Sequence, residues 1–148
     1  MYLLFDLSEK DIIHIVLFDE TKQKDFSVVG RNRDLLGAVF DFLKQEGLEK
    51  GDIRGIATVV GAGGFTSTRI AAVVANAFAY AQKIPVIAVQ KNQIYDLSSL
   101  IPHFSQPAGV YVSATYSGAP NITVSKKFAT SRLGRDAEPN SGKKNSTR

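Results

Sequence analysis

The chain has 148 residues and a mass of 16.1 kDa, with 44% hydrophobic and 22% charged residues; this suffices for one core but not for two full-sized lobes around a cleft. It has no cysteine, which excludes disulfides, thiolate nucleophiles and cysteine-ligated zinc. The net charge of +4 is uneven: up to Ser125 eleven basic residues meet twelve acidic ones, and from Lys126 onward seven meet two.

In chain order, Tyr2 to Leu7 and Ile12 to Phe18 are short aliphatic and aromatic runs around Ser8-Glu9-Lys10-Asp11 and predict a β-hairpin, with Phe26 to Val29 as a third strand. From Asp34 the period changes to helical: Leu35, Leu36, Val39, Phe40, Phe42 and Leu43 share one broad arc, and Gly47 follows as a C-terminal cap. Ile56 to Val60 predicts a β-branched strand, followed by the loop Gly61-Ala62-Gly63-Gly64, a helix from about Thr66 to Gln82 with Thr66 as N-cap, and a strand Val86 to Val89. A shorter helix over Asn92 to Leu100 and a hairpin of Val110 to Tyr116 with Ile122 to Phe128 complete the reading. The expected class is α/β, a mixed sheet carrying crossover helices. Its parts are a lobe over 1–106, a closing hairpin over 107–128 and a disordered basic tail over 129–148. That tail is either a solvated terminus or a nonspecific contact for RNA phosphates.

The second helix is the most informative segment. Between Ile70 and Ala81 only Asn76 and the Tyr80 hydroxyl interrupt an apolar sequence, more than one sheet face is expected to cover. Ala71, Ala72, Ala75 and Ala79 form a small-residue seam that lets another helix approach closely, and the large side chains on the other side suit the sheet. Three readings stand: the seam, with Val39 and Phe40 of the first helix, meets a partner chain; it packs against the first helix of its own chain; or high helix propensity alone explains the alanines.

Gly61, Gly63 and Gly64 sit between a strand and a helix start, where free amides can hold an anion. No Walker lysine or dinucleotide glycine spacing accompanies them, and a tight loop explains them equally. Arg69, in the first turn, suits an anion or a carboxylate such as Asp6. His14 and His103 lack a second ligand at metal spacing. Asp6 and Asp11 read as a carboxylate pair or as turn residues. No serine or cysteine nucleophile with an evident base stands out. Neither catalytic residues, a metal site nor a cofactor is expected. The longest apolar stretch is too short to span a bilayer, and no basic leader precedes the first strand; a cytoplasmic protein with no membrane partner is expected.

The stretch Gly61 to Ile70, Gly-Ala-Gly-Gly-Phe-Thr-Ser-Thr-Arg-Ile, resembles the GPGSFTGLRIG signature of the bacterial TsaB (YeaZ) family. Asp6-Leu7-Ser8 is similar to that family's Asp-Thr-Ser, and Ile84 to Val89 to its next segment. The resemblance covers about residues 1 to 100. It implies an actin-like, Hsp70-like ATPase (ASKHA) N-terminal lobe and a role in making tRNA N6-threonylcarbamoyladenosine. There TsaB is a noncatalytic platform, pairing through its two helices with the catalytic subunit TsaD, recruiting the ATPase TsaE, meeting tRNA through the complex and forming a homodimer in isolation. It places Val39, Phe40, Arg69, Ala71, Ala72, Ala75 and Ala79 at the interface, and Asp6, Ser8, Gly61, Gly63, Gly64, Phe65 and Thr66 around the signature loop. Ala62 replaces the signature proline, Gly64 its serine, Thr68 its leucine, Ser67 and Ala71 its later glycines, and Arg31 a frequent histidine. Most of the family's second lobe has no counterpart. The alternative is a degenerate nucleotide-binding lobe that senses or weakly hydrolyses ATP through Asp6, Ser8 and Gly61 to Gly64.

Overall fold

The computed structural model describes residues 1–114. Strands β1 (Tyr2–Asp6), β2 (Ile12–Phe18) and β3 (Gln23–Val29) precede helix α1 (Leu35–Gln45); β4 (Ile56–Val60), helix α2 (Phe65–Gln82) and β5 (Val86–Gln90) follow. They form one sheet in the order β3-β2-β1-β4-β5. The first three strands are antiparallel, and β1, β4 and β5 are parallel. The expected mixed sheet with two crossover helices is therefore present. The helix predicted over Asn92 to Leu100 is absent: a 3-10 turn at Lys91–Gln93 and a 3-10 segment at Leu97–Ser105 take its place, and Asp96, with φ −134 and ψ 88, interrupts the helical backbone between them. Residues 110–114 are irregular, so the first half of the predicted closing hairpin is not a strand there. The rest of that hairpin and the basic tail lie outside the described residues.

Alternation along the strands builds two apolar layers. Leu3, Phe5, Ile13, Ile15, Leu17, Ile56 and Val86 face α1 and α2. Tyr2, Leu4, Val16, Phe18, Ala57 and Val59 face the segment Leu97–Ser105, through Leu97, Leu100 and Phe104. Tyr2 stacks on Phe104 with ring centroids 4.6 Å apart. Gly55 is required beneath that ring, since a Cβ there would lie 2.5 Å from the Phe104 Cδ1. Each large side chain so buried contributes about 1.5–3 kcal/mol, and both faces of the central strands collect that contribution.

Helix α1 ends as its sequence predicts. Gly47 has φ +71, and the amides of Leu48 and Gly47 bond to the carbonyls of Leu43 and Lys44, a Schellman closure. Helix α2 starts earlier than predicted, with Gly64 as its N-cap. Thr66 lies exposed in the first turn, and the Thr68 hydroxyl donates back to the Gly64 and Ala62 carbonyls at 3.0 and 3.3 Å.

The orientation of α2 overturns the alanine seam as a partner surface. Ala71, Ala72, Ala75 and Ala79 are no more than 4% exposed and pack on the chain's own sheet, while Val73 is 59% and Tyr80 72% exposed. The reason is steric. The sheet supplies the large side chains of this layer, so the helix above presents small ones to come close. On α1, Val39 is buried as well, whereas Phe40 is 44% exposed and meets Phe78 of α2 at 6.4 Å between ring centroids.

Candidate functional site

In open sheets with parallel strands, ligand sites form beyond the strands' carboxyl ends. Here β1, β4 and β5 end at Asp6, Val60 and Gln90, and the signature loop lies between the other two ends. Gly61 has φ +78, and a Cβ on it would lie 2.6 Å from the Gln90 side-chain oxygen; Gly63 has φ +88, and its Cβ would lie 2.9 Å from the Ser8 Cα. Gly63 is thus required by backbone conformation and by close approach to backbone, and Gly61 by its conformation, since the Gln90 side chain beside it can move. Gly64 has φ −82 and open space around it, so nothing in the loop demands glycine there. Phe65, half-buried, and Thr66, exposed, open α2.

Asp6 is the centre of the site and is 3% exposed. Its Oδ1 accepts the Ser8 amide at 3.0 Å. Its Oδ2 accepts the Lys91 ammonium, which also donates to the Ser8 Oγ at 2.9 Å. The 3-10 turn that follows β5, closed by the Gln90 amide on the Gln93 Oε1 at 2.6 Å, is where Lys91 sits. His14 stands directly opposite Asp6 in the β1–β2 ladder. Its Nδ1 is 3.7 Å from the Asp6 Oδ2, and its Nε2 is 3.5 Å from the Asp25 Oδ2 on β3. Burial alone would push the Asp6 carboxyl up, but the contacts from His14, Lys91 and Ser8 outweigh it and hold the group well below the ordinary carboxylate range. Asp6 in turn raises His14 above its ordinary value, against the opposing effect of burial and with Asp25 adding to the rise.

This arrangement limits the chemistry. Both Asp6 oxygens are already engaged, and an ammonium held by a carboxylate is no base for the Ser8 hydroxyl. Among the described residues no group of three or more His, Asp or Glu side chains could hold a metal ion, and no helix is long and apolar enough to cross a membrane. Of the residues predicted for the loop site, the structure brings Asp6, Ser8, Gly61 and Gly63 together. Asp11 lies in the hairpin turn with φ +59, not beside Asp6 as a carboxylate pair. Neither Lys91 nor His14 is legible as an Asp6 partner: the predicted four-residue turn Ser8 to Asp11 sets Asp6 against Ile13, and the observed register lies one residue further on, opposite His14.

The interface residues divide differently. Val39, Ala71, Ala72, Ala75 and Ala79 are inside the monomer, and Phe40 and Arg69 are exposed. The outward arc of α2 instead carries Val73, Ala77, Tyr80 and Ala81, a stretch with no charged residue from Ile70 to Ala81. Leu36, 44% exposed, lies one turn before Phe40 on α1.

Sheet order, crossovers and the loop between parallel strands define an actin-like, Hsp70-like N-terminal lobe. The family model described as TsaD, tRNA N6-adenosine threonylcarbamoyltransferase, matches residues 22–128, and the chain belongs to that family. Two solved structures from Pseudomonas aeruginosa are similar to it. One is described as an uncharacterized protein with similarity to peptidase YEAZ; it is 30% identical, with a TM-score of 0.55 over 60% of this chain and 42% of that one. The other, YeaZ, is 30% identical, with a TM-score of 0.54 over 60% of this chain and 43% of that one. The chain is thus YeaZ-like and aligns with less than half the length of these relatives. No curated protein matches it significantly.

Proposed function

We propose that this chain acts in the biosynthesis of tRNA N6-threonylcarbamoyladenosine as a noncatalytic platform. It pairs with a TsaD-type catalytic subunit, recruits a TsaE-type ATPase and meets tRNA only through that complex, in the cytoplasm. In isolation it forms a homodimer through the same surface. The observation that carries this reading is the uncharged outer arc of α2, Val73, Ala77, Tyr80 and Ala81, beside Phe40 and Leu36 of α1. Contiguous exposed apolar surface of this kind marks association sites. The strand-end site supports a binding role over ATP chemistry: Lys91 already neutralises Asp6, the carboxylate at the loop end of β1, so a phosphate-bound cation would have to displace a tethered one.

The test is co-purification of the full chain with a TsaD-type subunit. Val73→Arg and Tyr80→Arg are expected to abolish both the heterodimer and the homodimer while the melting temperature stays within a few degrees of wild type. Undiminished pairing in both variants would overturn the reading.

A further inference from the structure

Asn76 is the one polar side chain besides Tyr80 within the apolar run of α2, and its partner is distant in sequence. Its Nδ2 donates to the Val112 carbonyl at 2.9 Å, and its Oδ1 accepts the Val112 amide at 3.0 Å. One amide side chain thus satisfies both backbone polar groups of one residue, as a neighbouring strand would. The chain reaching Val112 comes from the opposite face of the sheet, where Leu97, Leu100 and Phe104 pack, whereas Val112 packs with the helix-side core. Between the two faces it rounds the edge at β5, where the Gln106 Nε2 donates to the Val86 carbonyl at 2.7 Å. Gly109, with φ +99, turns the segment, and an open cleft of about 370 Å³ separates it from Val86–Val89.

Among the described residues β3 and β5 are the sheet's edge strands, and they are protected differently. Edge strand β3 carries Lys24 and Asp25, both exposed, which discourage pairing. Edge strand β5 reads Val-Ile-Ala-Val-Gln, with no charge and no proline, the composition of a strand that pairs readily with its own kind. We propose that Asn76 latches residues 106–112 as a strap over the edge of β5, and that the strap keeps this edge from adding the β5 strand of a second copy of the chain. This inference does not depend on the helix-face pairing proposed above.

The experiment is hydrogen exchange and light scattering on the full chain carrying Val73→Arg, so that association through the helix face cannot mimic association through β5. Adding Asn76→Leu removes both latch bonds. Exchange at Val112 and over Val86–Gln90 is expected to rise about tenfold or more, the factor that accompanies loss of roughly 1.4 kcal/mol, with β1 and β2 still protected. The chain should associate with rising concentration, and Ala88→Lys, a charge on the edge strand, should return it to a monodisperse state. Should Asn76→Leu fail to fold, Gln106→Ala releases the strap from its other end and is expected to act in the same direction. Unchanged exchange at Val112 and β5 would overturn the latch. Faster exchange without association, or association that Ala88→Lys leaves intact, would overturn the edge-guarding role.

Discussion

Lys91 and Asp6 stand 85 residues apart in sequence and form an ion pair across the ends of β5 and β1. The Asp6 side chain is almost fully buried, while Lys91 keeps 43% of its side chain exposed. Removing the ammonium therefore strands a buried charge, which costs more than the pair itself contributes. Lys91→Met is expected to destabilise the fold by about 1–3 kcal/mol, toward the lower end because solvent reaches the lysine. Asp6→Asn in the Lys91→Met background should recover much of that loss, as urea denaturation of the four-member cycle would register. Because Asp6 titrates in the fold below its ordinary 3.8, its contribution is complete above that pH and is lost as pH falls toward the native value.

His14 gives the opposite dependence. Its folded pKa is raised above 6.5, first by Asp6 and then, against burial, by Asp25. A raised pKa means that the protonated form is the stabilised one, so the contribution is fully present below 6.5 and is lost as pH rises through the folded value. Denaturant midpoints measured from pH 6 to pH 8 should fall for the wild type, and His14→Gln should flatten that slope. Asp25→Asn should reduce it without abolishing it, since Asp6 is the larger influence.

Gly63 and Gly64 are adjacent in sequence and unlike in role. A methyl group on Gly63 meets the Ser8 backbone from a left-handed conformation, whereas one on Gly64 meets nothing. Gly63→Ala is expected to cost about 1–3 kcal/mol and to displace the turn holding Ser8 against Asp6, which chemical-shift changes at the Ser8 amide would report. Gly64→Ala should stay within about 0.5 kcal/mol of wild type.

Much of the fold was legible in sequence because local signals agreed with the final packing. Ile12 to Phe18 read as a strand, Gly47 closed α1, and Gly61-Ala62-Gly63 marked the crossing from β4 to α2. The candidate site was only half legible: Asp6, Ser8 and the glycines are near-neighbours of recognisable turns, whereas the Lys91 pairing depends on β5 lying two strands from β1, which no local pattern encodes. The facing of α2 was misread for a physical reason. A helix apolar on nearly every side has no strong amphipathic direction, so residue size alone had to decide which side meets the sheet, and sheet and helix divide the large side chains between them.

That reversal separates two substitutions at neighbouring positions of α2. Ala75 is fully buried against the strands, while Val73 projects 59% exposed from the opposite side. An arginine at Ala75 would have to bury a charge and several methylenes in a close-packed layer, a combination of overpacking and desolvation that exceeds the few kcal/mol by which small domains are stable. Ala75→Arg is therefore expected to unfold the chain, seen as loss of the cooperative thermal transition. Val73→Arg should keep that transition, because its side chain enters solvent and the helix backbone accepts arginine readily. If Ala75→Arg melted like the wild type and abolished association, the alanine face rather than the Val73 and Tyr80 face would be the one that meets a second chain.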